Sequence, residues 1–225
     1  MGSSTARGSS RNPRVSHTLM RSNWLVTPDK FLSAPQVQAL RAHVDGARHR
    51  ALVEGRLQPV RDAAIVEVLL GTGLRVSEAC GLRIGDVFLA DGRGDVLVRR
   101  GKGGKGRLVA ISPSLAQYIG EFINWKATVA EPVEADAPLF VSSRGGHLTR
   151  SAVHRIWKLI LKSSGLPTRW GVHSTRHSFA VEVYRKTLDL RLTQRLLGHS
   201  NVATTTVYAN LLDEDVRRGV AMIWG

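Results

Sequence analysis

Three short β-type runs stand close together in the middle of a chain whose other patterned segments are helical. They cover residues 87–89, 96–98 and 108–111, and turn-forming residues separate them: Asp91-Gly92 in the first gap and the glycines between 101 and 106 in the second. Successive strands joined by such short connections pair with their chain neighbours in antiparallel order. The pattern therefore predicts a mainly α fold with a small three-stranded antiparallel β-sheet.

Helical periodicity predicts the elements around this sheet. The first helix begins near Ser33, which can cap it while Gln36 reaches back. A second helix covers about 62–70, breaks at the glycines of Gly71-Thr72-Gly73, and restarts beyond them. Further helices are predicted over 113–127, 149–163, 175–187 and 191–197, with a last segment after 210. We expect one domain over residues 29–225, preceded by a flexible basic tail over residues 1–28.

The charge balance points to a polyanionic partner. Lys and Arg number 32 against 18 Asp and Glu, a formal net charge of +14, which favours a polyanion such as DNA as the partner, although charge that only keeps a protein soluble is the alternative. Cys80 is the single cysteine, so no intramolecular disulfide can form. No apolar run approaches the roughly 20 residues of a membrane span, and no signal peptide is evident. We expect a cytoplasmic protein with no membrane association.

The loop between the second and third β-type runs is both basic and glycine-rich. Its sequence is Arg99-Arg100-Gly101-Lys102-Gly103-Gly104-Lys105-Gly106-Arg107. Glycine lets a hairpin backbone come close to a phosphate chain, so we predict DNA contacts from Arg99, Arg100, Lys105 and Arg107. The loop lacks the Gly-Lys-Ser/Thr ending of a nucleotide-binding P-loop, and an ATPase is therefore disfavoured.

Further basic and polar groups stand where helix ends would hold them. Arg75 follows the Gly-x-Gly break, so it can lie beside unpaired backbone N–H groups, although a surface arginine is the simpler alternative. His173 and Arg176 are three residues apart at a helix start and can project toward one point. His173 and His177 have the spacing of a zinc pair, but no glutamate lies between them and Arg176 does, so no metal site is predicted. Taken singly, His199 is a helix-terminal histidine and Tyr208 a core residue.

Taken in order, these motifs resemble the tyrosine recombinases, and most closely the Xer-type enzymes and phage integrases, over residues 30–215. The stretch Gly71-Thr72-Gly73-Leu74-Arg75-Val76-Ser77-Glu78 resembles the family's first-arginine motif, and the glycine-rich loop resembles its β-hairpin lysine loop. His173-Ser174-Thr175-Arg176-His177 and Leu196-Leu197-Gly198-His199-Ser200 resemble its second and third motifs, with Tyr208 at the nucleophile spacing. The resemblance implies the tyrosine recombinase (DNA breaking-rejoining enzyme) catalytic fold.

The resemblance also implies a catalytic set, namely Arg75, Lys102, His173, Arg176, His199 and Tyr208. In it Tyr208 attacks the phosphodiester and forms a 3′-phosphotyrosine, while Arg75 and Arg176 stabilise the phosphate charge. Lys102 protonates the leaving 5′ oxygen, His173 accepts or orients the tyrosine proton, and His199 hydrogen-bonds a phosphate oxygen. No ATP or other cofactor is expected, because the 3′-phosphotyrosine keeps the energy of the phosphodiester. No metal is expected either, because the acidic residues lack the clustered spacing of a metal-dependent nuclease. We expect activity in the presence of a chelator.

Three questions stay open at the level of sequence. Members of the family usually carry an N-terminal helical domain that grips the opposite side of the DNA, and we expect no separate domain of that kind here because Arg75 comes so early. The amphipathic segment 211–224 either mediates self-association on DNA or folds back on its own core. The alternatives to an integrase or resolvase of a mobile element are a non-cleaving DNA-binding protein and a type IB topoisomerase-like enzyme on the same fold.

Overall fold

A computed structural model describes residues 28–90, 93–99 and 106–198, and within these ranges the chain forms seven α-helices and one three-stranded sheet. In chain order the elements are α1 (Ala34–Val53), α2 (Leu57–Thr72), α3 (Val76–Cys80), β1 (Val87–Ala90), β2 (Arg93–Val98), β3 (Arg107–Ile111), α4 (Pro113–Thr128), α5 (Arg150–Ser163), α6 (His173–Thr187) and α7 (Leu190–Leu197). The predicted segment after residue 210 and nearly all of the predicted basic tail lie outside these ranges. The domain boundary near residue 29 stays a prediction.

The sheet is antiparallel in the order β1-β2-β3, as predicted. Val96 pairs with Val87 on one side and Val109 on the other. Along β2 every second residue is buried, which puts Val96 and Val98 in the core and leaves their neighbours half-buried. Gly94 brings the sheet close to α4, because a Cβ there would lie 2.9 Å from the Cβ of Ala116. The mainly α fold with a small three-stranded sheet is thereby confirmed.

The helices match the sequence pattern closely, with two informative differences. Ser33 donates its backbone N–H to Gln36 Oε1 at 2.9 Å, as the predicted capping box requires. Helix α2 begins at Leu57, five residues before the predicted start, because Pro59 falls in its first turn, where a missing N–H is tolerated. Helix α6 begins at His173, two residues earlier than predicted. That difference places His173 in the first turn of the helix.

Helix α2 forms the centre of the core. Its residues are buried on nearly every side, as expected for a helix surrounded by other elements, and it packs against α1, α4 and α6. Trp157 of α5 is fully buried and donates its Nε1–H to the Trp170 carbonyl at 3.1 Å. Because α2 is buried and packs against α6, its carboxyl end lies inside the protein, next to α6.

No helix in the described part of the chain is long and apolar enough to cross a membrane.

Candidate functional site

Arg75 stands at the junction between α2 and α3. Helix α2 ends at Gly73, whose φ of +62° turns the chain so that α3 can begin at Val76. The Arg75 carbonyl accepts the N–H groups of Glu78 and Ala79. Glu78 in turn accepts the Arg75 backbone N–H at 2.8 Å and its Nη1 at 2.9 Å. The side chain of Arg75, which is 30% exposed, is therefore held by a carboxylate from its own helix.

Glu78 also binds Arg107, the first residue of β3. Arg107 donates Nη1 to Oε1 at 2.9 Å and Nη2 to Oε2 at 3.0 Å, a two-pronged contact with a carboxylate that is only 4% exposed. Burial alone would raise the pKa of Glu78, but the hydrogen bonds and charges of Arg107 and Arg75 outweigh it and lower the pKa to about 2. Glu78 is therefore ionised throughout the neutral range.

Arg176 of α6 is almost fully buried and connects two helix ends. Its Nη1 donates to the Gly73 carbonyl at the end of α2, and its Nη2 donates to the Leu197 carbonyl at the end of α7, both at 2.7 Å. Carbonyls at helix carboxyl ends lack intrahelical partners and carry partial negative charge, so they suit a guanidinium. Arg176 thus fixes the chain just before Arg75 and just before His199.

His173 and His177 lie in the first two turns of the same helix. Their rings meet edge to face, with centroids 4.7 Å apart and an interplanar angle of 89°. Partial burial and the positive charges of Arg176 and Arg75 hold the pKa of His173 below its ordinary value. His173 is consequently neutral at physiological pH and able to accept a proton.

Arg107 also contacts the end of α7. Gly198 closes that helix with a φ of +64°, and a Cβ placed there would lie 2.5 Å from Arg107 Nε and 2.8 Å from its Cζ. Only glycine can therefore occupy this position with Arg107 in place. His199 is the next residue in the sequence.

Arg99 lies at the end of β2 and is half exposed. Its Nε donates to the buried carboxylate of Asp86 at 2.5 Å. An open pocket of about 540 Å³ is lined by Arg99, Asp86, Glu78, Arg83 and His147, among others. Arg99 thus lines an open pocket in which the charges of Arg99 and Arg83 are balanced by the carboxylates of Asp86 and Glu78.

The structure brings together part of the predicted site. Arg75, His173 and Arg176 converge around the end of α2, whereas Arg100, Lys102, Lys105, His199 and Tyr208 lie outside the described residues. Sequence reasoning missed Glu78 as the partner of Arg75, although its place three residues after Arg75 is the signal for a side chain that reaches back to a helix start. Among the described residues no three His, Cys, Asp or Glu side chains are grouped to hold a metal ion.

Comparison with known proteins gives a consistent picture. A model of the phage integrase family matches residues 30–215. The tyrosine recombinase XerC of Bradyrhizobium diazoefficiens is 38% identical over 154 residues, which cover 68% of this chain and 47% of that protein. XerD of Lacticaseibacillus casei is 35% identical over 183 residues, covering 81% of this chain and 59% of XerD. The chain thus spans about half the length of the curated relatives it matches.

Solved structures extend the likeness to three dimensions. The XerH site-specific recombinase bound to palindromic difH substrate, in a post-cleavage complex, superposes with a TM-score of 0.70 at 26% identity, covering 87% of this chain and 54% of that one. The XerA recombinase gives a TM-score of 0.69 at 30% identity, with 87% of this chain and 66% of XerA covered. A lambda integrase dimer on a core site, at 20% identity and a TM-score of 0.57, shares the fold over 80% of this chain and 47% of its own.

Proposed function

The chain belongs to the phage integrase family, and we propose that it is a tyrosine site-specific recombinase that cleaves and rejoins double-stranded DNA. The observation that carries the proposal is the convergence of Arg75, His173 and Arg176. Burial, followed by the charges of Arg176 and Arg75, lowers the pKa of His173, and Arg176 is hydrogen-bonded to the end of the helix that leads to Arg75. Two cations beside a neutral histidine form a suitable environment for a phosphodiester under attack.

In the proposed reaction the Tyr208 Oη forms a bond to phosphorus as the bond from phosphorus to the 5′ oxygen breaks. His173 takes the phenol proton, and Lys102 gives a proton to the departing 5′ oxygen. Arg75 and Arg176 offset the negative charge that builds on the non-bridging oxygens, and His199 donates a hydrogen bond to one of them. Attack by a second 5′-hydroxyl on the phosphotyrosine reverses these steps and reseals DNA without ATP.

The proposed DNA contacts outside the reacting phosphate come from the loop that contains Arg99, Arg100 and Lys105. The half-exposed side chain of Arg99, just after the end of β2 where the loop begins, supports this role. Excess positive charge over the whole chain supplies the sequence-independent part of the binding. We propose that the protein acts in the cytoplasm and that its C-terminal segment mediates self-association on DNA.

A nicked suicide substrate tests the function directly. Such a duplex, drawn from the DNA flanking the gene and incubated in EDTA, loses a short fragment after cleavage, so the 3′-phosphotyrosine accumulates as a DNA adduct on a denaturing gel. We expect the wild-type chain to form this adduct and Tyr208→Phe to bind the same DNA without forming it, because only the phenol oxygen is removed.

Two results would contradict the assignment. An adduct that persists in the Phe variant would mean that another residue is the nucleophile. Wild-type binding with no adduct would identify a non-cleaving DNA-binding protein.

A further inference from the structure

Arg107 lies in the interior of the site, whereas Arg99 at the other end of the loop is half exposed. The side chain of Arg107 is 17% exposed, and both terminal nitrogens donate to Glu78. We propose that Arg107 is a positioning residue of the recombination reaction, which holds Glu78 and Gly198 in place, and that it does not contact DNA as the sequence suggested. This inference rests on the proposed function.

The first step of the argument is the arrangement around Glu78. Its Oε1 accepts from Nη1 of both Arg75 and Arg107, and its Oε2 accepts from the Arg75 backbone N–H and from Arg107 Nη2. Four hydrogen bonds from two directions leave the carboxylate a single orientation. Without Arg107 the carboxylate can rotate, and the Arg75 guanidinium that it holds can rotate with it.

The second step is the contact with Gly198. The guanidinium of Arg107 lies so close to this glycine that an added Cβ would be 2.5 Å from Nε. The start of β3 and the end of α7 are therefore in direct contact, one residue before His199. Arg107 thus joins the segment that carries Arg75 to the segment that leads into His199.

The third step concerns why an arginine is present at all. Arg107 Nε is buried, and no described residue accepts a hydrogen bond from it. A buried donor without a partner lowers stability, so the position of Nε follows from the bonds that Nη1 and Nη2 make with Glu78 and not from a bond of its own. The planar two-pronged pairing with Glu78 needs a guanidinium, and a lysine cannot supply it.

The chain offers a matched control in Arg61. It too is a partly exposed arginine, at 20%, paired with a buried glutamate, Glu131, which is 7% exposed. Arg61 lies near the start of α2, twelve residues before Gly73, so about 18 Å of helix separates it from the site. Replacing Arg61 therefore removes the arginine of a buried ion pair, as replacing Arg107 does, but leaves Glu78 and Gly198 unchanged.

The experiment compares Arg107→Lys, Arg107→Met and Arg61→Met in the full chain on the nicked duplex. At saturating DNA we expect both Arg107 variants to form the adduct about 10- to 100-fold more slowly, because a small displacement of a catalytic group has effects of that size. Their DNA affinity should stay within about twofold of wild type, since no phosphate contact is lost. Arg61→Met should melt at a lower temperature and keep the wild-type rate per bound complex.

Two outcomes would overturn the inference. If Arg107→Lys cleaves like wild type while Arg107→Met loses salt-dependent affinity, the residue is a phosphate contact. If Arg61→Met slows the reaction as much as Arg107→Met does, a general loss of stability explains the effect.

A second measurement separates the inference from the proposed function. If wild type itself forms no adduct, the recombinase assignment fails, and amide hydrogen exchange then decides the role of Arg107. The Arg75 N–H bonds to Glu78, and the Gly198 N–H bonds to the Arg195 carbonyl. Faster exchange of these two amides in Arg107→Met than in Arg61→Met supports positioning, and equal exchange refutes it.

Discussion

At the scale of single residues, Gly73 shows how one position serves both fold and site. Its φ of +62° ends α2, and its missing side chain lets the Phe179 ring approach, since a Cβ would lie 2.5 Å from Phe179 Cδ1. Its carbonyl accepts Arg176 Nη1. Gly73 therefore determines both the turn before Arg75 and the packing of α6 against the end of α2.

Gly73→Ala should destabilise the protein more than Gly55→Ala. Both glycines have positive φ, but nothing lies within 4 Å of a Cβ at Gly55. Alanine at Gly55 should cost about 1–2 kcal/mol for the left-handed backbone. Alanine at Gly73 should cost about 1–3 kcal/mol more because Phe179 must move. Urea unfolding measures both, and equal losses would show that Phe179 does not constrain this position.

At the scale of elements, α6 concentrates the chemistry in its first two turns. His173, Arg176 and His177 occupy consecutive turns of one helix, and Ser178 accepts the backbone N–H of Leu32 at 2.8 Å. Burial, followed by the charges of His173, Arg176 and Lys30, lowers the pKa of His177 to about 4. The first two turns of α6 therefore contain two histidines whose rings are neutral in the folded protein at neutral pH.

This arrangement predicts acid sensitivity. Because the unfolded chain binds a proton at His177 near pH 6.5 and the folded chain does so only near pH 4, the contribution of His177 to the free energy of unfolding should fall as the pH is lowered through that window. The lowered pKa of His173 acts in the same direction. Asp62 acts in the opposite direction, because burial raises its pKa to about 6. Glu78 adds a loss only below about pH 4.5, where its unfolded form is protonated.

Urea titrations at several pH values between 7 and 4 measure this effect. His177→Gln should lose less unfolding free energy than wild type as the pH is lowered. His154→Gln, a change at an exposed position on α5, should show the same pH dependence as wild type. If the unfolding free energy of His177→Gln depends on pH as that of wild type does, His177 is not the source of the acid sensitivity.

At the scale of the whole molecule, the net charge of +14 should make DNA binding depend strongly on salt concentration. Each phosphate neutralised by a cation releases counterions, so affinity should fall steeply as salt rises. Arg99 contributes to this if it faces the duplex, whereas Arg56, exposed in the turn between α1 and α2, lies at the far end of α2 from the site.

Salt titration of DNA binding tests this distribution of charge. We expect Arg99→Gln to reduce the slope of log affinity against log salt by about 1, the contribution of one phosphate contact. The matched change Arg56→Gln should leave the slope unaltered. Equal slopes for wild type and the Arg99 variant would remove Arg99 from the DNA interface.

Most of the secondary structure and the order of the motifs could be predicted from the amino-acid sequence. Strand alternation and helix periodicity depend on neighbours two to four residues apart, so the sheet over residues 87–111 and most helix limits could be predicted. The start of α2 was missed because its first turn carries polar residues and Pro59 in place of the apolar repeat. The proposed roles of Lys102, His199 and Tyr208 still come from the motifs alone.

The hydrogen-bond partners of the arginines depend on long-range packing. Glu78 and Arg107 are 29 residues apart, and Arg176 is 103 residues from Gly73. No local periodicity encodes such contacts, because they form only when helix ends and the sheet edge pack together. A basic loop looks uniformly suited to DNA in the sequence, yet packing turns Arg107 inward to a buried carboxylate and leaves Arg99 half exposed.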